Sequence, residues 1–239
     1  MRDFTKVTSS VASVENAGFD AGLRKHMLKV YNYMGLALVV SGLLSYFAGH
    51  SEAYIQTVFT NPILYWGIAL APLAMVFFLS IRIEKMSMQT AQITFWAFAS
   101  VMGLSLASIF LMYTEASIFK TFLATAGTFG AMSLYGYTTK RDLSGMGSFL
   151  IMGLFGIIIA SVVNIFLQSS ALDFAVSILG VLIFIGLTAY DTQRIKQLYF
   201  VHGGQGETGG KAAIMGALSL YLDFINLLLF LLRFMGDRR

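Results

Sequence analysis

Two aspartates lie inside apolar stretches of this 239-residue sequence, and their side chains are the ones best suited to chemistry. Asp223 is preceded by Ser219 and followed by Asn226 at spacings that place all three side chains on one face of a helix. Asp191 follows Thr188 by one helical turn on the preceding apolar stretch. Carboxyl, amide and hydroxyl groups cannot face lipid cheaply, so both polar faces are predicted to point into the protein interior.

The two acids are expected at similar depth, near the cytoplasmic ends of their helices. Asp191 comes just before the basic residue Arg194, and Asp223 lies close to the start of its apolar run. Contact between the two carboxyl groups is therefore geometrically possible. Two carboxyl groups in contact away from water share one proton and titrate as a unit over a pH range that can reach neutrality. Such a pair would tie two helices as a pH-sensitive latch, and its oxygens are ligands suited to Ca²⁺.

A structural role for the same residues stays open. Each aspartate could separately bond Arg82, Thr188 or Asn226 and only hold helices together. Arg82 stands at the cytoplasmic end of the second apolar run. It could neutralise the pair, or it could be an ordinary arginine that extends its side chain to the membrane interface.

The elements that would position these residues follow from composition. The sequence is 57% hydrophobic and only 12% charged, whereas a soluble domain carries roughly 25% charged residues. Only helices satisfy their own backbone in continuous apolar runs of about 20 residues. The sequence thus predicts an all-α membrane protein of seven transmembrane helices, with the polar-faced last helix in the middle of the bundle. The runs are Met27–Gly49, Pro62–Ile81, Ile93–Tyr113, Ser117–Thr138, Met146–Leu167, Leu172–Tyr190 and Leu218–Gly236.

Several functional classes are not expected. The sequence has no cysteine, and its three histidines are far apart without metal-ligand spacing. No serine–histidine–aspartate set and no basic stripe with interleaved aromatics can be identified. We therefore expect no enzyme, no resident cofactor and no nucleic-acid partner.

The distribution of lysine and arginine predicts the orientation. Basic residues concentrate before the first run and after the second, fourth and sixth, so the N-terminus is predicted to be cytoplasmic. Residues 1–22 are interpreted as a polar cytoplasmic tail, or alternatively as a short amphipathic anchor, and residues 23–239 as one transmembrane domain. Seven crossings would put the C-terminus outside, against its own arginines. The last segment therefore either crosses against the charge rule or dips into the membrane and returns.

Glycines suggest two further features. The segment from Gln197 to Gly216, which includes the Gly-rich stretch 203–210, is predicted to be a long flexible connector. A phosphate-binding loop is disfavoured, because no strand precedes it and the Gly-Lys-Ser/Thr ending is missing. Small residues are predicted to allow close helix packing in the first and fifth runs, namely Gly35 and Gly42 in the first and Gly153, Gly156 and Ala160 in the fifth.

Three stretches carry a resemblance to a known family. They are Tyr-Gly-Tyr-Thr-Thr-Lys-Arg-Asp-Leu-Ser-Gly-Met-Gly at 135–147, Gly-Leu-Thr-Ala-Tyr-Asp-Thr-Gln at 186–193 and Leu-Tyr-Leu-Asp-Phe-Ile-Asn-Leu at 220–227. On these motifs, the region from about Leu23 to Gly236 resembles the Bax inhibitor, or transmembrane Bax inhibitor motif, family.

The resemblance implies seven helices with the last one central between two three-helix layers, and a pH-sensitive Ca²⁺ leak. The family's paired aspartates correspond to Asp191 and Asp223, and its second-helix arginine matches Arg82 by position. The family's lysine-rich eukaryotic tail is missing, which indicates a bacterial, inner-membrane member. Relatives in that group also resemble modulators of a membrane-bound AAA protease, for which the N-terminal tail would be the exposed handle.

Four functional hypotheses follow. The first is a proton-gated calcium leak channel in which Asp191, Asp223 and Arg82 sense pH, and Thr188, Ser219 and Asn226 line or support the pore. Calcium would be the permeant ion, with transient contacts to the two aspartates. The second is a regulator or partner of a membrane-bound AAA protease. A proton-coupled transporter is a third hypothesis, and an intramembrane hydrolase is the least favoured.

Overall fold

The computed structural model describes residues 4–202 and 206–239, with side chains for 21–201 and 206–239. This part of the chain is built from helices, with a single turn of 3₁₀ helix at Ile83–Lys85. The α-helices are α1 Phe4–Gly49, α2 Glu52–Phe59, α3 Pro62–Arg82, α4 Met88–Ser105, α5 Ser108–Met112, α6 Glu115–Thr138, α7 Ser144–Leu167, α8 Ser170–His202 and α9 Gly206–Met235. The expected all-α class is confirmed.

Six helical segments in the described residues are long and apolar enough to cross a membrane. They are Ala21–Gly49, Pro62–Lys85, Met88–Met112, Ser144–Leu167, Ser170–Val201 and Gly206–Met235. Helix α6 has 24 residues and is equally long, but it is not among these six apolar segments. Multiple membrane spans are thus established, and the seventh crossing is taken up below.

Helix α9 occupies the centre of the bundle. It packs against α1, α4, α6 and α8. In its most apolar window 61% of the residues are buried inside the protein, against 39% for the α8 segment and at most 33% for the other four. A helix with this much of its surface buried against protein exposes little of it to lipid. This agrees with the prediction made from the polar face of the last helix.

The last helix crosses the whole bundle instead of dipping and returning. At its first turn the Glu207 carboxylate accepts a hydrogen bond from the backbone N–H of Met88, where α4 begins. At its far end the chain pairs with the α5–α6 connection, since Thr114 N–H donates to the Asp237 carbonyl and Arg239 N–H to the Met112 carbonyl. The C-terminus therefore lies at the opposite end of the bundle from the α3–α4 connection.

The predicted long connector between the last two helices is wrong for the part that the structure describes. Helix α8 continues to His202 and α9 begins at Gly206, so most of the expected linker is helical. The remaining residues of that Gly-rich stretch, 203–205, lie outside the described residues. The glycines serve packing: a Cβ on Gly210 would come within 2.8 Å of the Met88 sulfur. Tertiary contact thus outweighs the low helix propensity of glycine.

The expected tail at residues 1–22 falls mostly outside the described side chains, and it stays a prediction. The packing prediction is wrong for Gly35, Gly42 and Gly156, where an added Cβ would meet no atom within 4 Å. It holds for the other two residues: a Cβ on Gly153 would lie 3.1 Å from the Ile183 side chain on α8, and Ala160 packs against a cluster of buried residues. Close approaches occur at other glycines. A Cβ on Gly103 would lie 2.7 Å from the carbonyl oxygen of Ser41, where α4 meets α1.

Candidate functional site

Asp223 lies in the second half of α9 at the centre of the bundle, with a side chain only 5% exposed. One of its carboxylate oxygens, Oδ2, is buried without a hydrogen-bond partner. Buried polar atoms in folded proteins are nearly always hydrogen-bonded, so an unpartnered carboxylate oxygen calls for a functional explanation. The oxygen is available to a proton, a water molecule or a cation.

Asp191 on α8 is the charged neighbour of Asp223. The two carboxyl groups are near enough for their charges to interact directly. Asp191 is partly buried and also interacts electrostatically with Arg194, one turn further along α8. Helices α8 and α9 pack against each other extensively, which holds the two acids in the same part of the interior. The structure thus brings together the two side chains that the sequence singled out.

The neutral polar residues around the pair are mostly bonded within their own helices. The Thr188 hydroxyl is buried and donates to the Phe184 carbonyl at 2.7 Å. The Asn226 amide donates to the Leu222 carbonyl at 2.8 Å. Ser219 and Asn226 lie about one turn before and after Asp223 and are partly buried. These groups border the pair without taking up the free oxygen of Asp223.

Arg82 is not brought to the pair. Its side chain is exposed at the end of α3, and no electrostatic interaction with either aspartate is found. The cation that interacts with Asp191 is Arg194. Arg82 was favoured because it ends an apolar run, but it belongs to a different helix, so its distance from the pair depends on how α3 packs. Arg194 lies one turn after Asp191 on the same helix and is near it by spacing alone.

A chain of hydroxyl groups beside Asp191 was missed at the level of sequence. The Thr192 hydroxyl bonds the Thr188 carbonyl at 2.8 Å and the Ser133 hydroxyl at 2.9 Å. Ser133 in turn bonds the Tyr31 hydroxyl at 2.6 Å. These bonds connect α8, α6 and α1 immediately after Asp191. Thr192 belongs to the motif at 186–193, and its place in that motif is the sequence signal that could have pointed to this chain of hydroxyl groups.

Two of the three sequence motifs owe their composition to packing around Asp191. The Gln193 side chain accepts a hydrogen bond from Leu143 N–H at 2.8 Å and donates to the Arg141 carbonyl at 2.7 Å. A Cβ on Gly136 would overlap the backbone of Ala189, and one on Gly147 would overlap the Tyr190 ring. The motif at 135–147 therefore forms the surface against which the Asp191 segment of α8 is seated.

The site has few of the ligands that a resident metal needs. Within residues 21–201 and 206–239, no group of three or more histidine and acidic side chains is arranged to hold a metal ion. The pair offers two carboxyl groups, whereas a bound Ca²⁺ takes 6–8 oxygen ligands. Any calcium contact here would have to draw further oxygens from water or from the backbone.

Comparison with known proteins agrees with this architecture. A model of the family described as "Inhibitor of apoptosis-promoting Bax1" matches residues 23–239. The chain is 49% identical to the inner membrane protein YbhL of Escherichia coli K12 over 224 residues, which cover 92% of this chain and 94% of YbhL. It is 48% identical to a protein of Rickettsia prowazekii over 247 residues and 46% identical to one of Caulobacter vibrioides over 250 residues, with both chains covered completely. The resemblance drawn from the three motifs is confirmed, and the chain belongs to the Bax inhibitor family of membrane proteins.

Proposed function

We propose that this protein is a pH-sensitive calcium leak channel in which the Asp191–Asp223 pair is the gate. The observation that carries the proposal is the unpartnered Asp223 oxygen, buried in the central helix beside a second carboxyl group. The charges of the two acids interact inside the protein, and in this proposal that interaction makes the pair gain and lose a proton as a unit. A change in that shared charge alters the attraction between α8 and α9, which are the most extensively packed helices in the bundle.

Calcium is the permeant ion in this proposal and has no resident site. Two carboxylates attract a divalent cation, but they supply too few oxygens to retain it. Conduction requires binding that is favourable enough for entry and weak enough for release. The proposed role is passive leak, so no catalytic chemistry is assigned to the chain.

Calcium flux into liposomes that contain the purified protein, measured over a pH series, tests the gate. We expect Asp191→Asn and Asp223→Asn each to flatten the pH response, because an amide of nearly the same shape cannot share a proton. Asp142→Asn is the matched control. This exposed carboxylate accepts hydrogen bonds from the Ser144 N–H and hydroxyl, which lower its pKa, and no electrostatic interaction between it and either aspartate of the pair is found. Flux and pH response unchanged in both pair variants would reject the gate.

A second comparison separates the two candidate arginines. Arg194→Gln removes the cation that interacts with Asp191 and is expected to move the midpoint of the pH response. Arg82→Gln changes an exposed side chain and is expected to leave the midpoint in place. The reverse result would favour the assignment made from sequence position.

We infer further that α6 is the seventh membrane span. Its 24 residues extend about 36 Å at the α-helical rise, which is enough to cross the hydrocarbon layer. It packs against α8 and α9, two of the apolar segments. Packing also supports two layers around α9: α4 contacts both α1 and α3 on one side, and α8 contacts both α6 and α7 on the other.

The inner membrane is the proposed location, in line with the printed name of YbhL. The basic residues at the start of α1 and in the α3–α4 and α6–α7 connections support a cytoplasmic N-terminus. With seven spans, the C-terminus lies on the other side. Accessibility of single introduced cysteines near Lys140 and near Arg239 to an impermeant thiol reagent would test this orientation.

The alternative proposal, a partner of a membrane-bound AAA protease, rests on the family resemblance. Its proposed handle, residues 2–21, lies in the part of the chain without described side chains. Deletion of these residues should abolish effects on the protease and preserve calcium flux if both activities exist. Co-purification that recovers no protease would count against this alternative.

A further inference from the structure

A cleft of about 550 Å³ opens on the side of the bundle between α1 and α6. Both helices pack against α8 and α9, and the cleft is the space left between them. Its volume falls in the range of about 300–1,000 Å³ that is typical of small-molecule sites. The aspartate gate does not use this cleft.

The walls of the cleft are apolar. Met27, Leu28, Phe129 and Leu134 contribute most of the lining, and Leu28 and Leu134 are also exposed on the outer surface. Leu28 lies in a membrane-spanning segment, and with α6 as the proposed seventh span Leu134 also faces lipid, so the cleft opens into the membrane and not into water. An occupant that enters from the side must therefore carry a hydrocarbon chain.

The polar groups deep in the cleft already bond one another. The Tyr31 and Ser133 hydroxyls, which both line it, form a hydrogen bond of 2.6 Å, and Ser133 also bonds the Thr192 hydroxyl. Mutually bonded hydroxyls can lie beside a hydrocarbon chain without a further unsatisfied group. The inner wall thus accommodates an acyl chain as well as the outer walls do.

The end of the cleft towards the start of α1 is positively charged. Arg24 lines it, lies within the first turn of the apolar segment and forms no ion pair with any described residue. Close by, Tyr137 lines the cleft, and Lys196 is held against it by a 3.0 Å bond to its carbonyl oxygen. An arginine that lines an apolar cleft without an ion-pair partner among the described residues, with a lysine held beside one of the other lining residues, favours a negatively charged head group.

We propose that this cleft binds one membrane phospholipid with an anionic head group, the acyl chain lying between α1 and α6 and the phosphate next to Arg24. The Arg24 guanidinium, which has no ion-pair partner among the described residues, gives the charge complementarity, and the cleft distinguishes this lipid from those that only coat the outer surface. The site lies at the basic end of the bundle, where anionic lipid attracts basic residues. Binding here does not depend on calcium conduction.

Gly130 provides a variant that fills the cleft without disturbing the fold. It lines the cleft, and a Cβ built on it meets no atom within 4 Å. Gly130→Leu therefore places an alkyl group where the acyl chain would lie. Gly127→Leu, one turn earlier on α6, is the matched control, because its Cβ is equally free and it does not line the cleft.

Native mass spectrometry of the detergent-purified full chain, titrated with phosphatidylglycerol or phosphatidylcholine of identical acyl chains, measures the binding. We expect the first phosphatidylglycerol molecule to bind at a lower lipid concentration than the first phosphatidylcholine molecule. Gly130→Leu should lose this first binding event, and Gly127→Leu should retain it. Arg24→Gln should weaken the preference about fivefold, the effect of removing one basic group near an anionic surface.

Three outcomes would overturn the proposal. They are equal binding of the two phospholipids by the unmodified chain, identical binding by the two leucine variants, and tighter binding of oleate than of phosphatidylglycerol in a parallel titration. The last result would identify a free fatty acid as the occupant. Melting temperatures of all variants, measured in the same detergent, confirm that each is folded.

Discussion

The contact between Gly136 and Ala189 offers a direct test of how the Asp191 segment is held. Helix α6 approaches α8 so closely there that a Cβ on Gly136 would overlap the Ala189 carbonyl oxygen and lie 2.9 Å from the Ala189 Cα. Every one of these atoms belongs to the backbone, so no side-chain rotation can relieve the overlap. Gly136→Ala must push the two helices apart, two residues before Asp191.

The size of the effect follows from the kind of contact. Overpacking a well-packed interior costs about 1–3 kcal/mol. For a chain of this size each kcal/mol lowers the melting temperature by about 2–4 °C. Gly136→Ala should therefore melt roughly 2–12 °C below the unmodified protein. The displaced Asp191 should also shift the pH midpoint of calcium flux.

Thermal unfolding followed by intrinsic fluorescence in detergent measures this difference, with Gly127→Ala as the control on the same helix. A Cβ on Gly127 meets nothing within 4 Å, and alanine has the higher helix propensity, so this variant should melt at an unchanged or slightly higher temperature. Equal melting temperatures for the two variants would refute the claim that this glycine is required by backbone contact.

Two further predictions concern hydrogen bonds at either side of the central helix. Ser41→Ala leaves the buried Tyr221 hydroxyl without its hydrogen-bond partner at 2.6 Å and should destabilise the protein by about 1–3 kcal/mol. The double variant Ser41→Ala, Tyr221→Phe removes both hydroxyls and should recover part of this loss. Thermal unfolding of the two variants measures the difference. Immediately after α1 ends, bonds to the Tyr46 carbonyl and the Glu115 carboxylate raise the pKa of the exposed His50 imidazole above 6.5. Protonated His50 therefore ties α1 to α6 below pH 6.5, and this tie is lost as the pH rises through the raised pKa. An NMR titration should show the His50 pKa fall in Glu115→Gln, and an unchanged value would contradict the assigned partner.

Much of the site was accessible from the sequence because it depends on local spacing. The membrane class follows from composition, and the acids stand out because a charged side chain in an apolar run needs a protein-facing partner. Helical spacing alone put Ser219, Asp223 and Asn226 on one face. The central place of the last helix followed from that face, and the packing of α9 agrees with it.

Other features required the tertiary structure, because they depend on which surfaces meet. Gly35 and Gly136 look alike in sequence, yet only Gly136 lies against another backbone. Arg194 lies one turn after Asp191 on the same helix, so helical spacing alone brings it near that acid, whereas the packing of α3 decides that Arg82 stays away from the pair. The Gly-rich sequence at 206–210 predicts a flexible linker, yet it forms the first turns of α9, where Glu207 and Gly210 contact Met88 at the start of α4. Spacing along the chain determines which residues share a face, and packing between helices decides what each face touches.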